Sequence, residues 1–390
     1  MFGHSASSSY PRTGTTSPIF VSREPSAVPQ FVTVGQDYFL VQVYAAQVAF
    51  RGNIWDKVKR LVVTSQVNLN HRNLDNRGMR AIQRTRDVQK NHSQPLGLNP
   101  NLVGLVPAVM PNISLSIDFI LDKENRLAQL GSLINSDSFL NVVSLAPGAS
   151  AVAKTVAQLA DKVIQTFIPA EENKALLSFG GDFNLATRQL QEGYYVIIGS
   201  KDDQNPLPDS TAKLAVQDRG LLVNGQPATQ WSYIVLDVQR TDLRPRELND
   251  GASWDIKLRE AEDEAQRVTL NPRATNEEKT QAWNRCSKLI EEAQTLLRAD
   301  DNFLPKDATN ITTAAIHNCQ KLVVQDQSTA RGLESSKGGE KAPAFSWSPD
   351  LPNTLKALGL DPGMDLEAAM NEYADQLIAT RRKLRALGVS

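Results

Sequence analysis

The stretch NISLSIDFIL, Asn112 to Leu121, carries the clearest structural pattern in the chain and sets the expected fold of its N-terminal part. Apolar residues occupy every second position: Ile113, Leu115, Ile117, Phe119 and Leu121. Polar residues lie between them: Ser114, Ser116 and Asp118. Because successive side chains of a strand point to opposite faces, this alternation predicts a strand with one buried and one half-solvated face.

Strand patterns recur on both sides of this segment. They cover residues 39–50, 61–69, 194–199, 212–217, 220–223 and 231–239. Asn224-Gly225 predicts a tight hairpin turn, since both residues accept a positive φ. Two amphipathic helices, 124–135 and 149–167, interrupt the strands. We therefore predict an α+β protein whose body is an antiparallel β-sandwich with inserted helices. The strand inventory resembles that of C2-like sandwiches, which implies a fold and no particular activity.

The apolar spacing changes from strand-like to helical near residue 250. Helices are predicted at 254–266, 277–298 and 308–324, the last two as a helical hairpin. Residues 325–341 are polar and lack periodicity, as flexible linkers do. A final helix begins after the capping Asp365, with one apolar stripe. We predict this stripe to be a helical interface: Leu366, Met370, Tyr373, Leu377, Leu384 and Leu387.

The patterns divide the chain into five predicted segments. A disordered tail covers residues 1–30, and the sandwich domain covers 31–250. The helical hairpin region follows at 251–325, then a flexible linker at 326–345 and a C-terminal helical segment at 346–390. No run of 18 apolar residues and no apolar signal segment occur in the chain, so we expect a cytoplasmic protein.

Motifs for catalysis and metal binding are missing from the sequence. It contains no GxSxG, GxGxxG or GK[ST] motif, and we interpret Ser178 to Gly181 as a loop between elements. The four histidines have no metal-ligand spacing, and Cys286 and Cys319 are expected to be buried, reduced thiols. Aspartates at 202–209 leave a loop calcium site open as an alternative. We predict no cofactor, no resident metal and no enzyme activity.

A basic segment at residues 51–92 is the main functional signal in the N-terminal half. It holds ten Lys or Arg against three acids, although the whole chain has a net charge of -1. We predict that part of it binds an anionic partner through Arg72, Arg77, Arg80, Arg84, Arg86 and Lys90. Three partners fit such a segment: an acidic protein surface, an anionic membrane and, with less support from motifs, nucleic acid.

The features together favour a non-enzymatic interaction or assembly protein. In this interpretation a β-sandwich body carries a helical appendage for self-association or for binding a protein partner. The terminal helix can dock on its own domain, pair with a second copy or bind another protein. The alternatives are a peripheral protein of anionic membranes that uses the basic segment, and a hydrolase whose site the sequence does not reveal.

Overall fold

The computed structural model describes most of the strands and helices of the chain. The described residues are 18–24, 28–49, 59–69, 79–88, 93–98, 101–110, 112–122, 174–187, 189–199, 208, 211–249, 251–271, 273–324 and 348–388. The predicted inserted helices at 124–135 and 149–167 lie outside these ranges, as do the linker residues 326–345. The chain divides into two compact units, Met1–Arg240 and Thr241–Ser390. The five predicted segments remain a prediction.

The first unit is built from antiparallel strands. They are β1 (Ile19–Val21), β2 (Tyr38–Ala49), β3 (Lys59–Leu69), β4 (Met79–Val88), β5 (Ser93–Pro95), β6 (Asn101–Pro107), β7 (Asn112–Asp122), β8 (Lys174–Asn184), β9 (Gly193–Gly199), β10 (Leu214–Gln217), β11 (Gly220–Val223), β12 (Gln226–Pro227) and β13 (Ser232–Thr241). They form three sheets: β1-β9-β13-β2-β5 with β6 also on β2, β4-β3-β7-β8, and β10-β11-β12. With the helices of the second unit, the protein is a mixed α+β protein.

The central strand β7 confirms the alternation seen in the sequence. Its apolar residues Ile113, Leu115, Ile117 and Phe119 are buried, whereas Ser114, Ser116 and Asp118 are partly exposed. β7 pairs with β3 on one side and β8 on the other, with Ile117 opposite Ser65 and Phe179. One hydrophobic cluster includes the four buried β7 side chains and Phe179, together with Val41, Ile197, Ile234 and Leu236 of the six-stranded sheet. Both larger sheets therefore contribute to the same core.

The small sheet β10-β11-β12 shares a second cluster with the six-stranded sheet. Leu221, Val223 and Trp231 pack there with Val196 and Val235. Asn224 and Gly225 have φ values of 51° and 79° between the paired residues Val223 and Gln226. The hairpin predicted at Asn224-Gly225 is thus confirmed.

Strands β8 and β4 differ from the predictions. Ser178 to Gly181, predicted as a loop, lies inside β8, where Gly180 pairs with Ser116 and Gly181 with Leu115. A Cβ atom on Gly181 would lie 2.6 Å from Cζ of Phe179, so the glycine leaves room for that ring. In β4, five consecutive polar or charged residues between Ile82 and Val88 obscure the alternation that identifies a strand.

A strand also forms in the segment predicted as a disordered tail. β1 pairs with β9, with Phe20 opposite Tyr195. The two rings meet edge-on, with centroids 5.4 Å apart. Backbone pairing and this aromatic contact order three residues in a segment whose composition is otherwise polar.

The second unit is helical. Its elements are a 3-10 helix (Arg246–Asn249), α1 (Ser253–Thr269), α2 (Asn276–Arg298), α3 (Pro305–Val324), α4 (Leu351–Ala357) and α5 (Leu366–Ala386). Thr275 and Glu278 form a capping box at the start of α2, which satisfies backbone N–H groups that have no partner within the helix. The predicted helices are confirmed to within a few residues at their ends.

A separate hydrophobic core holds the helical unit together. Trp254 of α1 contacts Phe303 edge-on at 5.2 Å, and its indole N–H donates to Asp300 Oδ2 at 2.9 Å. The apolar faces of α2 and α3 are buried in this core, including Ile290 and Ile311. Residues of α4 and α5, among them Leu355 and Leu366, complete it. The core therefore includes all five described helices.

Candidate interaction surface on the C-terminal helix

The predicted apolar stripe of α5 forms the inner face of that helix. Leu366 is buried in the helical core, and Tyr373 packs against that core. Leu384 is also buried, and Met370, Leu377 and Leu387 are partly buried. The stripe was predicted as an interface, and the structure uses at least Leu366 and Tyr373 to attach α5 to its own unit. A partner of the folded unit needs another face of the helix.

Tyr373 links α5 to a buried charged region of the helical unit. Burial raises the pKa of Tyr373 to about 12, the Asp307 carboxylate adds to the rise, and Arg246 opposes it. Arg246 itself bridges two carboxylates, with Nε 2.5 Å from Asp255 Oδ1 and Nη1 3.2 Å from Glu262 Oε1. Asp255 is fully buried, so these contacts compensate a charge that would otherwise be costly to bury.

Both ends of α5 are held by polar contacts. Asp365 accepts hydrogen bonds from the backbone N–H groups of Glu367 and Ala368, at 3.0 Å and 3.1 Å. Near the other end, Arg381 forms an ion pair with Glu247 of the 3-10 helix. The negative charge of the N-terminal cap also suits the helix dipole. The helix is therefore fixed along its length, and its outer face has a defined orientation.

The outer face of α5 is exposed and its charges are separated by sign. Its exposed positions follow a spacing of three and four: Ala368, Asn371, Asp375, Ile378, Arg382 and Arg385. Exposed Glu372 lies beside Asp375, so the acids precede Ile378 and the arginines follow it. Ile378 is 45% exposed, which places a large apolar side chain at the centre of the face. We call these seven residues the outer α5 face.

The dipole of α5 explains only part of this charge separation. Dipole effects act within the first and last turn, which accounts for Glu367 and Arg385. Glu372, Asp375 and Arg382 lie further inside the helix. No residue of opposite charge is three or four positions from any of these three, so no pair within the helix is available. The arrangement is suited to charges supplied from outside the helix.

The predicted basic site lies partly on a sheet edge. Arg80, Arg84 and Arg86 belong to β4, which among the described residues pairs with β3 alone. A register shift separates Arg80 from Arg84 and Arg86 along β4. Arg72, Arg77 and Lys90 lie outside the described residues, so their relation to the other three stays a prediction.

A second polar cluster, in the β unit, was missed by the sequence reasoning. Arg23 forms an ion pair with Asp237 and lies over the ring of Tyr194, 5.2 Å from its centroid. The Tyr194 ring contacts that of Tyr44 at 4.9 Å. Burial raises the pKa of Tyr194 to about 12, helped by Asp237. The cluster joins the segment after β1 to β2, β9 and β13, and residues so far apart in sequence leave no local signal.

Metal-ligating side chains do not cluster in the described part of the chain. No group of three metal-ligating side chains occurs there, and the aspartates at 202, 203 and 209 lie outside it. A small recess of about 20 Å³ beside Phe39 and Val106 has an apolar lining and the volume of a water molecule. Burial lowers the pKa of His317, and the nearby Lys321 lowers it further.

The two cysteines lie together in the helical core. Both are fully buried, and the Cys286 thiol donates to the carbonyl oxygen of Ala261 at 3.2 Å. A hydrogen bond to Cys286 and burial both raise the pKa of the Cys319 thiol. Buried thiols of this kind pack as small apolar groups and react slowly.

Comparisons with known proteins give no family. No protein-family model matches the chain, and no curated protein matches its sequence. None of the helices in the described ranges is long and apolar enough to cross a membrane.

Proposed function

We propose that the protein is a non-enzymatic interaction protein whose helical unit binds a protein partner through the outer α5 face. One observation carries the proposal: α5 is attached by its inner stripe and both ends, while Ile378 and the separated charges stay exposed. A helix of 21 residues is about 31 Å long, long enough for a partner helix to lie along it. An exposed apolar centre flanked by charges is typical of such contacts.

Charge placement on this face favours a protein partner over a polyanion. A membrane or nucleic acid would attract Arg382 and Arg385 but repel Glu372 and Asp375 on the same helix. A protein surface with both signs of charge can match both halves. Such a surface would also lie along α5 in one direction only, because complementary charges determine the register of an interface more than its affinity.

The proposal assigns a supporting role to the β unit. We infer that its two larger sheets form a sandwich of the C2-like kind, because residues of both sheets share one hydrophobic cluster. The buried, reduced thiols of the helical core suit a protein of the cytoplasm. Neither the sandwich nor a location in the cytoplasm requires an enclosed catalytic site.

Affinity capture with paired charge variants tests the proposed function. The Glu372→Lys/Asp375→Lys variant reverses the acidic half of the outer α5 face and is expected to lose the partners that the wild-type chain captures. The control, Asp263→Lys/Glu291→Lys, makes the same charge change at exposed positions of α1 and α2. Identical partner sets for wild type and the α5 variant would contradict the proposal.

A second candidate function rests on the edge strand β4. Its three arginines lie on a strand with one unpaired edge among the described residues, and sheet edges are accessible to partners. We propose anionic membranes as its partner, with each basic residue near the surface contributing about 1 kcal/mol. Flotation with phosphatidylserine vesicles at low salt, with and without calcium, tests it. Binding that survives Arg80→Glu/Arg84→Glu/Arg86→Glu would contradict it, as would binding to nucleic acid alone.

A further inference from the structure

We infer that the partner of the outer α5 face is a second copy of the same chain, whose α5 lies antiparallel to the first. This inference rests on the proposed function and specifies its partner. It follows from the order of charges along one exposed helix, with acids before Ile378 and arginines after it. A helix with this order is complementary to itself only when the second copy runs in the opposite direction.

The register follows from placing a two-fold axis between Ile378 and Ala379. Asp375 then faces Arg382 of the partner subunit, and Glu372 lies at the same height along the helix as Arg385 of the partner subunit, on the flanks of the contact. Each contact occurs twice because the interface is symmetric, so two close ion pairs and two longer-range attractions form. The pairs lie about 5 Å and 10 Å from the axis at a rise of about 1.5 Å per residue. A parallel arrangement would instead bring acids against acids and arginines against arginines.

The surface near the axis allows two helices to approach closely. Ile378 is exposed, and both Ala374 and Ala379 are exposed small residues beside it. Small side chains around one larger apolar residue leave room for the same residue of the partner. The inner stripe, in contrast, is occupied by the helical core through Leu366 and Tyr373, so pairing does not require α5 to detach.

Charge reversal and mixing provide the decisive test, measured by sedimentation equilibrium in low salt. The wild-type chain is expected to show a reversible monomer–dimer equilibrium that weakens with added salt. Glu372→Lys/Asp375→Lys and Arg382→Glu/Arg385→Glu should each raise the dissociation constant at least about tenfold, because the charge attractions across the symmetric contact become repulsive. An equimolar mixture of the two variants should dimerise again, since one variant carries four positive charges on this face and the other carries four negative charges.

A control and a cross-link keep the test independent of folding. Asp263→Lys/Glu291→Lys carries the same charge change on α1 and α2 and should dimerise as wild type does. Ile378→Cys places a thiol next to the axis and should form a disulfide-linked dimer on mild oxidation, whereas Gln281→Cys on exposed α2 should not. The native cysteines are buried and should not contribute.

Three results would overturn the inference: a wild-type chain that stays monomeric at all concentrations, variants that dimerise as tightly as wild type, or a mixture that does not recover. If the chain is monomeric yet loses a captured protein on reversal of Glu372 and Asp375, the outer α5 face binds a different protein. In that case the proposed function stands and the second copy is excluded.

Discussion

Replacing Tyr373 by Phe tests the attachment of α5 to its unit. Burial and the Asp307 carboxylate raise the pKa of Tyr373 to about 12 from an unfolded value near 10. The neutral phenol is thus favoured in the folded state, so its contribution to stability is complete below pH 10 and decreases as the pH rises toward 12. Tyr373→Phe removes this dependence and leaves the ring in place.

The size of the effect follows from the shift. A difference of about two pH units corresponds to about 2 to 3 kcal/mol in total, of which about 1.4 kcal/mol is lost by pH 11. Urea unfolding followed by circular dichroism at 222 nm, between pH 8 and pH 11, measures it. Between pH 8 and pH 11, the free energy of unfolding of the wild type should fall by about 1.4 kcal/mol more than that of Tyr373→Phe. Ile378→Ala, on the opposite face of α5, serves as the control and should follow wild type. Parallel curves for wild type and Tyr373→Phe would refute the buried position of this side chain.

Three further predictions concern packing. Gly193→Ala should destabilise the β unit by about 1 to 3 kcal/mol, because Gly193 has a φ of 144° and an added Cβ would lie 2.7 Å from Phe20. Gly104→Ala is the control, since its Cβ would meet no atom within 4 Å. Equal urea midpoints for the two variants would contradict this prediction. Leu384→Ala should cost about 2 to 5 kcal/mol by leaving a cavity, and a loss under about 1 kcal/mol would show that Leu384 is exposed. Cys286 and Cys319 should react with a thiol reagent only after unfolding, and rapid native labelling would be inconsistent with their burial.

The helical unit could be predicted from the sequence because its signals are local. A stripe such as Ile290 and Leu297 repeats every three or four residues, and Thr275 or Asp365 marks where a helix begins. Each helix packs into the core through the same apolar residues that reveal its period in the sequence. Local pattern and final structure agree for α1, α2, α3 and α5, whose boundaries were predicted to within a few residues. The short helix α4 was not predicted.

The β unit was harder to predict because its pairing is non-local. β8 contains two adjacent glycines, which normally indicate a loop, and it is a strand because β7 pairs along its length. β4 lacks a clear alternation and depends on β3 in the same way. Arg23 and Asp237, which are far apart in the chain, meet only after β1 joins β9. Such contacts cannot be deduced from local spacing.

The two faces of α5 have different surroundings, and this difference identifies the candidate surface. The sequence identified the apolar stripe of α5, but it did not determine whether Leu366 and Tyr373 meet their own unit or a partner. In the structure both residues pack in or against the core of their own unit, and the opposite face of α5 is exposed. The charge order of Glu372, Asp375, Arg382 and Arg385 was present in the sequence throughout. Its significance depends on knowing that these side chains are exposed.

The molar mass in solution shows whether the chain self-associates through α5. Multi-angle light scattering across a range of loading concentrations, in low salt, reports whether two chains associate. We expect the mass of the wild-type chain to rise with concentration from 42.9 kDa toward twice that value, and Glu372→Lys/Asp375→Lys to stay near 42.9 kDa. A constant 42.9 kDa for the wild-type chain at every concentration would contradict self-association through α5.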